Sequence, residues 1–277
     1  MTPEELDAYL ERVGHRGWRA PTKATLDALM LAHTTAIPFE NLDVLAGRPI
    51  SLAPEAVFDK LVRRRRGGYC FEQNGLFARV LEALGYRVRP LAARARVGRA
   101  RSELPPRTHL CLEVTIGDRR HLVDVGVGGL SLTAALSFDD GAVQQTPHEP
   151  RRLVHESGGW WHQAWLGDRW TDVAELTGEP MPPIDQEIGS WWTSAHPGSP
   201  FRAELMVARA LDRGGRLTLR GDVLTLRAEG FVERATVPHE ALPAVLEARF
   251  GLVQSKVHTR RATSGRLREP SVVPTAT

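Results

Sequence analysis

Arg66-Gly67-Gly68-Tyr69-Cys70-Phe71-Glu72-Gln73-Asn74 opens an apolar series, Phe71, Leu76, Phe77, Val80, Leu81 and Leu84, with Gly85 after it. The spacing is that of one helical face, and the glycine is placed to end the helix. Gly67 and Gly68 let the backbone pass close to a neighbour just before the helix begins. Cys70 then falls in the first turn, where unpaired N–H groups and the positive end of the helix dipole favour a thiolate. Arg63, Arg64, Arg65 and Arg66 push the same way. A lone cysteine serves equally as a small buried hydrophobe, so a reactive Cys70 requires partners elsewhere in the chain.

The 277 residues suffice for two or three domains, and 42% hydrophobic with 25% charged content is ordinary for a globular chain. No N-terminal apolar run or long uncharged stretch is present, which argues against a signal peptide or membrane span. Two cysteines, Cys70 and Cys111, make no disulfide framework, so a cytoplasmic location fits best. The formal charge is only +3, and all but three of the 36 basic residues are arginine, a bias of coding composition more than a footprint of nucleic-acid binding. Seven arginines fall between Arg87 and Arg107. They fit a phosphate-binding surface or, more simply, a solvated strand edge and loop.

Upstream of Cys70 the chain reads as helical. Thr2-Pro3-Glu4-Glu5 is a capping box with proline at the first helical position, and Gly14 closes that helix. A second helix starts near Thr22 and must end before Pro38. Residues 39–45 show no clear period, and a short helix follows Pro54. Downstream, from Arg87, the texture is β: a strand over 88–97, a loop to Arg107, a hairpin of Thr108–Ile116 with Arg120–Val127, and strands near Leu153, Trp160–Trp165 and Trp170–Leu176. Six of the seven tryptophans lie between Trp160 and Trp192, as expected of aromatics packing a sheet. After Trp191–Phe201, short strands at 205–211, 216–220 and 223–227 precede a helix over 239–250. The last twenty or so residues read as a flexible tail.

The hairpin supplies the partners. A two-residue turn at Gly117-Asp118 sets Ile116 opposite Arg119, His109 opposite Gly126 and Cys111 opposite Asp124. His109, Cys111, Asp124 and Gly126 then share one face, with His109 and Asp124 diagonal neighbours. A histidine in a strand is often structural, but an aspartate inside Leu122-Val123-Asp124-Val125 needs a partner. An Asp–His pair on a sheet, with a thiol delivered by a separate helix, is the arrangement nucleophilic catalysis requires. No Cys/His spacing matches a metal site, and Gly126–Gly129 lacks the lysine of a nucleotide-binding loop.

Three stretches, Arg66–Asn74, Thr108-His109-Leu110 and Leu122-Val123-Asp124-Val125-Gly126, resemble the arylamine N-acetyltransferase family. Ile37-Pro38-Phe39-Glu40-Asn41-Leu42, His196-Pro197-Gly198-Ser199-Pro200-Phe201 and Glu247-Ala248-Arg249-Phe250-Gly251 resemble it too, in the expected order over most of the chain. The resemblance implies an α+β protein with a cysteine-protease-like catalytic core. Its parts are a helical domain (1–86), a β-barrel domain (87–195) and an α/β lid (196–277). It implies a triad of Cys70, His109 and Asp124, acetyl-CoA as acyl donor with no tightly bound cofactor, and arylamine or hydrazine acceptors. Phe39 and Val127 are the expected acceptor-side contacts, Val127 standing where many members carry phenylalanine. Backbone N–H groups around Gly126, Gly128 and Gly129 are candidates for the phosphates of coenzyme A; a strand-ending turn explains the same glycines. Two rivals share the triad: an amide synthase of the same fold fed by a carrier-bound acyl thioester, and a thiol hydrolase, whose papain-type signature is absent. No nucleic-acid or membrane partner is expected.

Overall fold

The computed structural model describes residues 1–212, 214–228 and 231–252; the tail expected from the sequence lies outside them. In α1 (Pro3–Val13), Thr2 Oγ1 accepts the Glu5 N–H at 3.2 Å and Glu5 Oε2 accepts the Thr2 N–H at 2.9 Å, so two orphan donors are satisfied reciprocally. Helix α2 (Lys23–Ala36) starts from the Thr22 cap. Then come β1 (Phe39–Glu40), α3 (Leu42–Leu45), and α4 (Pro54–Phe58), which runs into a π-turn over Asp59–Arg63. Helix α5 spans Cys70–Ala83. Leu6, Tyr9, Leu26, Met30, Phe77 and Val80 bring α1, α2 and α5 into one core, which continues into the sheet through Leu112, Val123 and Leu176.

Strands β2 (Arg87–Ala95), β3 (His109–Ile116), β4 (Arg119–Val123), β5 (Leu136–Ser137), β6 (Arg151–Glu156), β7 (Gly159–Leu166) and β8 (Arg169–Pro180) form a nearly closed antiparallel barrel, ordered β5-β4-β3-β2-β8-β7-β6. An Asp140–Leu153 bridge draws its two ends together. The hairpin has the register the turn requires, Ile116 opposite Arg119, but its ladder stops at Leu112–Val123 instead of running to Val127. Asp124 leaves the sheet because its carbonyl accepts the Leu132 N–H at 2.7 Å, and a 3₁₀ turn follows at Gly128–Leu130.

The arginines of the 96–107 loop are held by carboxylates: Arg96 by Glu175, Arg99 by Glu103, Arg101 by Asp172 and Glu156, and Arg107 by Glu179. Arg101 also lies over the Trp161 ring at 4.2 Å. This arginine-rich stretch closes the barrel surface.

Two elements escape the sequence pattern. Helix α6 (Pro183–Ala195) buries Gly189, Ser190 and Thr193 and exposes Ile184, Ile188 and Trp191, so its polarity is inverted. The edge strand β12 (Phe231–Thr236) is exposed at every position. Strands β9 (Met206–Ala210), β10 (Arg216–Arg220) and β11 (Val223–Ala228) complete a five-stranded sheet ordered β1-β9-β10-β11-β12, backed by α7 (Leu242–Phe250). The pair Phe39–Glu40, without period in the sequence, is therefore a strand whose partners are Ala208 and Val207. A second core of Leu42, Val207, Leu217, Leu219, Leu246 and Phe250 lies beneath this sheet.

Candidate active site

The approach to α5 is as tight as its glycines allow. A Cβ on Gly67 would lie 2.1 Å from the Pro38 carbonyl oxygen, and one on Gly68 2.6 Å from Glu72 Oε2. Glu72 reaches back to accept the Tyr69 N–H at 3.1 Å and pairs with Lys60 at 2.7 Å. Lys60 also holds Asp43 at 2.9 Å, while Arg66 holds Glu40 at 2.7 Å and Asp43 at 3.3 Å. Arg63 pairs with Glu55 and Arg64 with Asp59. The four-arginine field anticipated around the thiol is thus largely neutralised, because each of these cations but Arg65 has a carboxylate of its own.

Cys70, Gln73, Asn74 and Phe77 form the inward stripe of α5, at helical spacing. Gln73 Nε2 donates to the Pro38 and Gly68 carbonyls at 2.8 and 3.2 Å, and its Oε1 lies 2.6 Å from His33 Nε2. His33 Nδ1 in turn is 2.8 Å from the Tyr9 hydroxyl. Since Gln73 offers an oxygen there, His33 carries its proton on Nε2 and accepts from Tyr9. Burial, aided by Arg12 and opposed by Gln73, lowers His33 to about 4, so it stays neutral.

On the barrel side, His109 Nε2 donates to Asp124 Oδ2 at 2.7 Å. Cys70, His109 and Asp124 are 4%, 4% and 1% exposed, so the three share a nearly dry site. Nε2 is committed to the carboxylate, which leaves Nδ1 for the thiol. Burial disfavours a charged His109, but the Asp124 charge and hydrogen bond, with a contribution from Cys70, outweigh it and raise the imidazole to about 10. The sequence reading missed Asn74. Its Nδ2 donates to the Leu110 carbonyl at 2.7 Å and to Asp124 Oδ1 at 3.0 Å, and its Oδ1 accepts the Val125 N–H at 3.0 Å. Asp124 Oδ1 also accepts the Gly126 N–H at 3.0 Å. The Cys70 helix and the Asp124 loop are therefore joined through Asn74.

The glycines of the following turn pack closely. A Cβ on Gly126 would meet Asn74 Nδ2 at 2.7 Å and Cys70 Cα at 2.8 Å; one on Gly128 would lie 3.5 Å from Phe39, and one on Gly129 2.7 Å from Thr218. The Gly126 N–H serves Asp124 Oδ1. Phe39 sits in an apolar group with Cys70, Tyr69, Phe71, Leu110 and Phe201, its ring 6.0 Å from that of Phe201. Val127, partly buried, packs against Leu130, Ala164 and Val173 in the barrel. A groove of about 1110 Å³ between residues 47–54 and α6 touches Phe71 and Asn74 but none of the Cys70, His109 and Asp124 side chains; the reactive groups, not the groove, locate the chemistry. Among the described residues, no group of His, Cys, Asp and Glu is placed to hold a metal ion, and no helix is long and apolar enough to cross a membrane.

Among known proteins, the N-acetyltransferase family model matches residues 22–258. The arylamine N-acetyltransferase of Mycolicibacterium smegmatis is 44% identical over 255 residues, covering 90% of this chain and 92% of that protein. That of Escherichia coli is 41% identical over 259 residues, covering 91% and 90%. The solved Mycobacterium tuberculosis arylamine N-acetyltransferase superimposes with a TM-score of 0.86 at 44% identity, covering 89% and 93%. The chain belongs to the arylamine N-acetyltransferase family.

Proposed function

We propose that this protein transfers an acetyl group from acetyl-CoA to arylamines, arylhydrazines or hydrazines through an acetyl-Cys70 intermediate. The observation that carries the mechanism is the His109–Asp124 contact at 2.7 Å, with the other face of the imidazole turned to Cys70. His109 holds the Sγ proton on Nδ1, and the sulfur attacks the acetyl carbonyl carbon of the donor. The bond from that carbon to the coenzyme sulfur breaks, and His109 returns the proton to the departing thiol. A thioester is exchanged for a thioester, so the step is nearly balanced. An amine, unprotonated at neutral pH when aryl-substituted, then attacks the carbonyl carbon of acetyl-Cys70; the carbon–Sγ bond breaks to release Cys70, and the proton lost by the amine nitrogen is taken up by the Cys70–His109 pair. Asp124 holds the imidazole orientation and stabilises the imidazolium. The Cys70 N–H, at the first helical position and without an intrahelical acceptor, is one donor to the oxyanion.

A Mycobacterium marinum arylamine N-acetyltransferase solved in complex with CoA, 43% identical to this chain, supports the choice of donor. Backbone N–H groups of Gly128 and Gly129 are proposed contacts for its phosphates, and Phe39 and Val127 for the acceptor. The test is the intact mass of the protein after mixing with acetyl-CoA alone. One acetyl group, lost on cysteine modification at residue 70 and discharged by an arylamine, is expected. An unmodified Cys70 that nevertheless accepts acyl groups from carrier-bound thioesters would replace this reading with the amide synthase, and continuous release of acid without amine would replace it with the hydrolase.

A further inference from the structure

On the far side of the Arg66–Gly68 loop, a pocket of about 400 Å³ is lined by Arg12 of α1, Arg65, Arg209 of β9 and the end of α7, with Glu11 as its acidic lining residue. Arg12 is 7% exposed and donates from Nε to the Leu61 carbonyl at 3.1 Å and from Nη2 to the Arg65 carbonyl at 3.4 Å, but pairs with no carboxylate among the described residues. Arg65 is held at φ 51°, a left-handed conformation that a non-glycine residue adopts only at a cost. Arg209 has a buried Nε without a hydrogen-bond partner among the described residues. The three side chains line one pocket, and burial first, then Arg65, opposed by Tyr9 and aided by Arg209, lowers Arg12 to about 10. Arg249 adds to the crowding at Arg209, and Asp212 relieves it in part.

Guanidinium groups gathered around a cavity, with too few carboxylates and an unused buried donor, are the chemistry of phosphate recognition. We propose that this pocket binds a small diphosphorylated molecule, gripped by Arg12, Arg65 and Arg209. Its volume exceeds a single phosphate and suits a pyrophosphate carrying a modest organic group. The ligand would tie the first helix and the β9 sheet to the loop that leads into Cys70, and its binding is independent of the acyl-transfer reading.

The experiment is calorimetric titration of the full-length protein with sodium pyrophosphate, with and without saturating CoA. One site is expected, unaffected by CoA. Arg209→Gln and Arg65→Gln should each weaken it by about tenfold, the loss of one charge-assisted contact; Arg65 is exposed, so its variant guards against misfolding in the other. Binding displaced by CoA would assign the pyrophosphate to the donor cleft and overturn the proposal. So would equal binding by wild type and both variants, or no binding at millimolar concentration.

Discussion

Asp124 is oriented by three donors, two on Oδ1 and His109 on Oδ2. Asn74 and the Gly126 N–H both donate to Oδ1, so in Asp124→Asn the amide oxygen must occupy that place and the NH₂ must face His109. The ring would then carry its proton on Nδ1, toward Cys70, and could not accept the thiol proton. Turnover should fall on the order of 10³–10⁴-fold with the fold intact; a near-normal rate in a folded Asn variant would remove Asp124 from the mechanism. Gly126→Ala probes the same joint by crowding. Its Cβ would meet Cys70 Cα at 2.8 Å and Asn74 Nδ2 at 2.7 Å, so a loss of about 1–3 kcal/mol is expected from overpacking, accompanied by reduced acetylation of Cys70. Wild-type stability and acetylation in that variant would show that the turn gives way freely. Linkage adds a signature of His109. Its folded value, about 10, lies above the ordinary 6.5, so its stabilisation is complete below pH 6.5 and is lost as pH rises toward 10. Chemical denaturation from pH 7 to 10 should show a steeper decline for wild type than for His109→Gln; equal slopes would contradict the buried ion pair.

At the scale of the element, α5 shows what a sequence conveys and what it withholds. Its apolar positions, its start at the Arg-Gly-Gly stretch and its glycine stop could all be read from spacing. The turn and the period of two also brought His109 and Asp124 to the same end of the hairpin, but their contact forms beyond the last ladder pair, Leu112–Val123, after Asp124 has left the sheet. The roles of Gln73 and Asn74 could not be read, since a glutamine and an asparagine beside Glu72 look like a solvated turn. The sign was the run itself: three consecutive polar residues just inside an apolar helix, all of them buried. Helix α6 was hidden for the opposite reason, its inward face being made of small and hydroxylic residues.

The Gln73 chain has a measurable consequence. His33, lowered to about 4, remains neutral in the folded state while the unfolded chain takes up a proton below about pH 6.5. Stability should therefore fall between pH 6.5 and 4, by a limit on the order of 3 kcal/mol from this group. Thermal unfolding of His33→Gln across that range should show a shallower pH slope than wild type. Parallel slopes would mean His33 is protonated or accessible.

Across the whole molecule, the sheet containing β9 is fastened by few polar points. Asn41, 1% exposed, donates to the Phe201 and Glu204 carbonyls at 2.8 and 2.7 Å and accepts the Met206 N–H at 2.8 Å. Glu149, whose pKa is lowered to about 2 as Arg151, Arg216 and Arg227 outweigh the effect of burial, links the barrel edge to β10 and β11. Asn41→Ala leaves three backbone groups without partners and should cost about 2–4 kcal/mol. Hydrogen exchange would localise the loss: amides of β9 and β10 should exchange faster while those of α1 and α2 change only with global stability. A uniform increase would show that Asn41 is no fastening.

The backbone just before Cys70 is paired with Phe39, whose other edge is taken by Ala208. During synthesis this has a temporal meaning. Gly68 and Phe39 leave the ribosome early, but the strand that seals them is made only when about three quarters of the chain has emerged. At roughly 5–20 residues per second the wait is on the order of ten seconds or more. Until then the thiol follows a loop whose outer edge is open, and a nascent chain holds a cysteine but no assembled nucleophile. Truncated products released before β9 would carry the entire triad in sequence and be chemically silent.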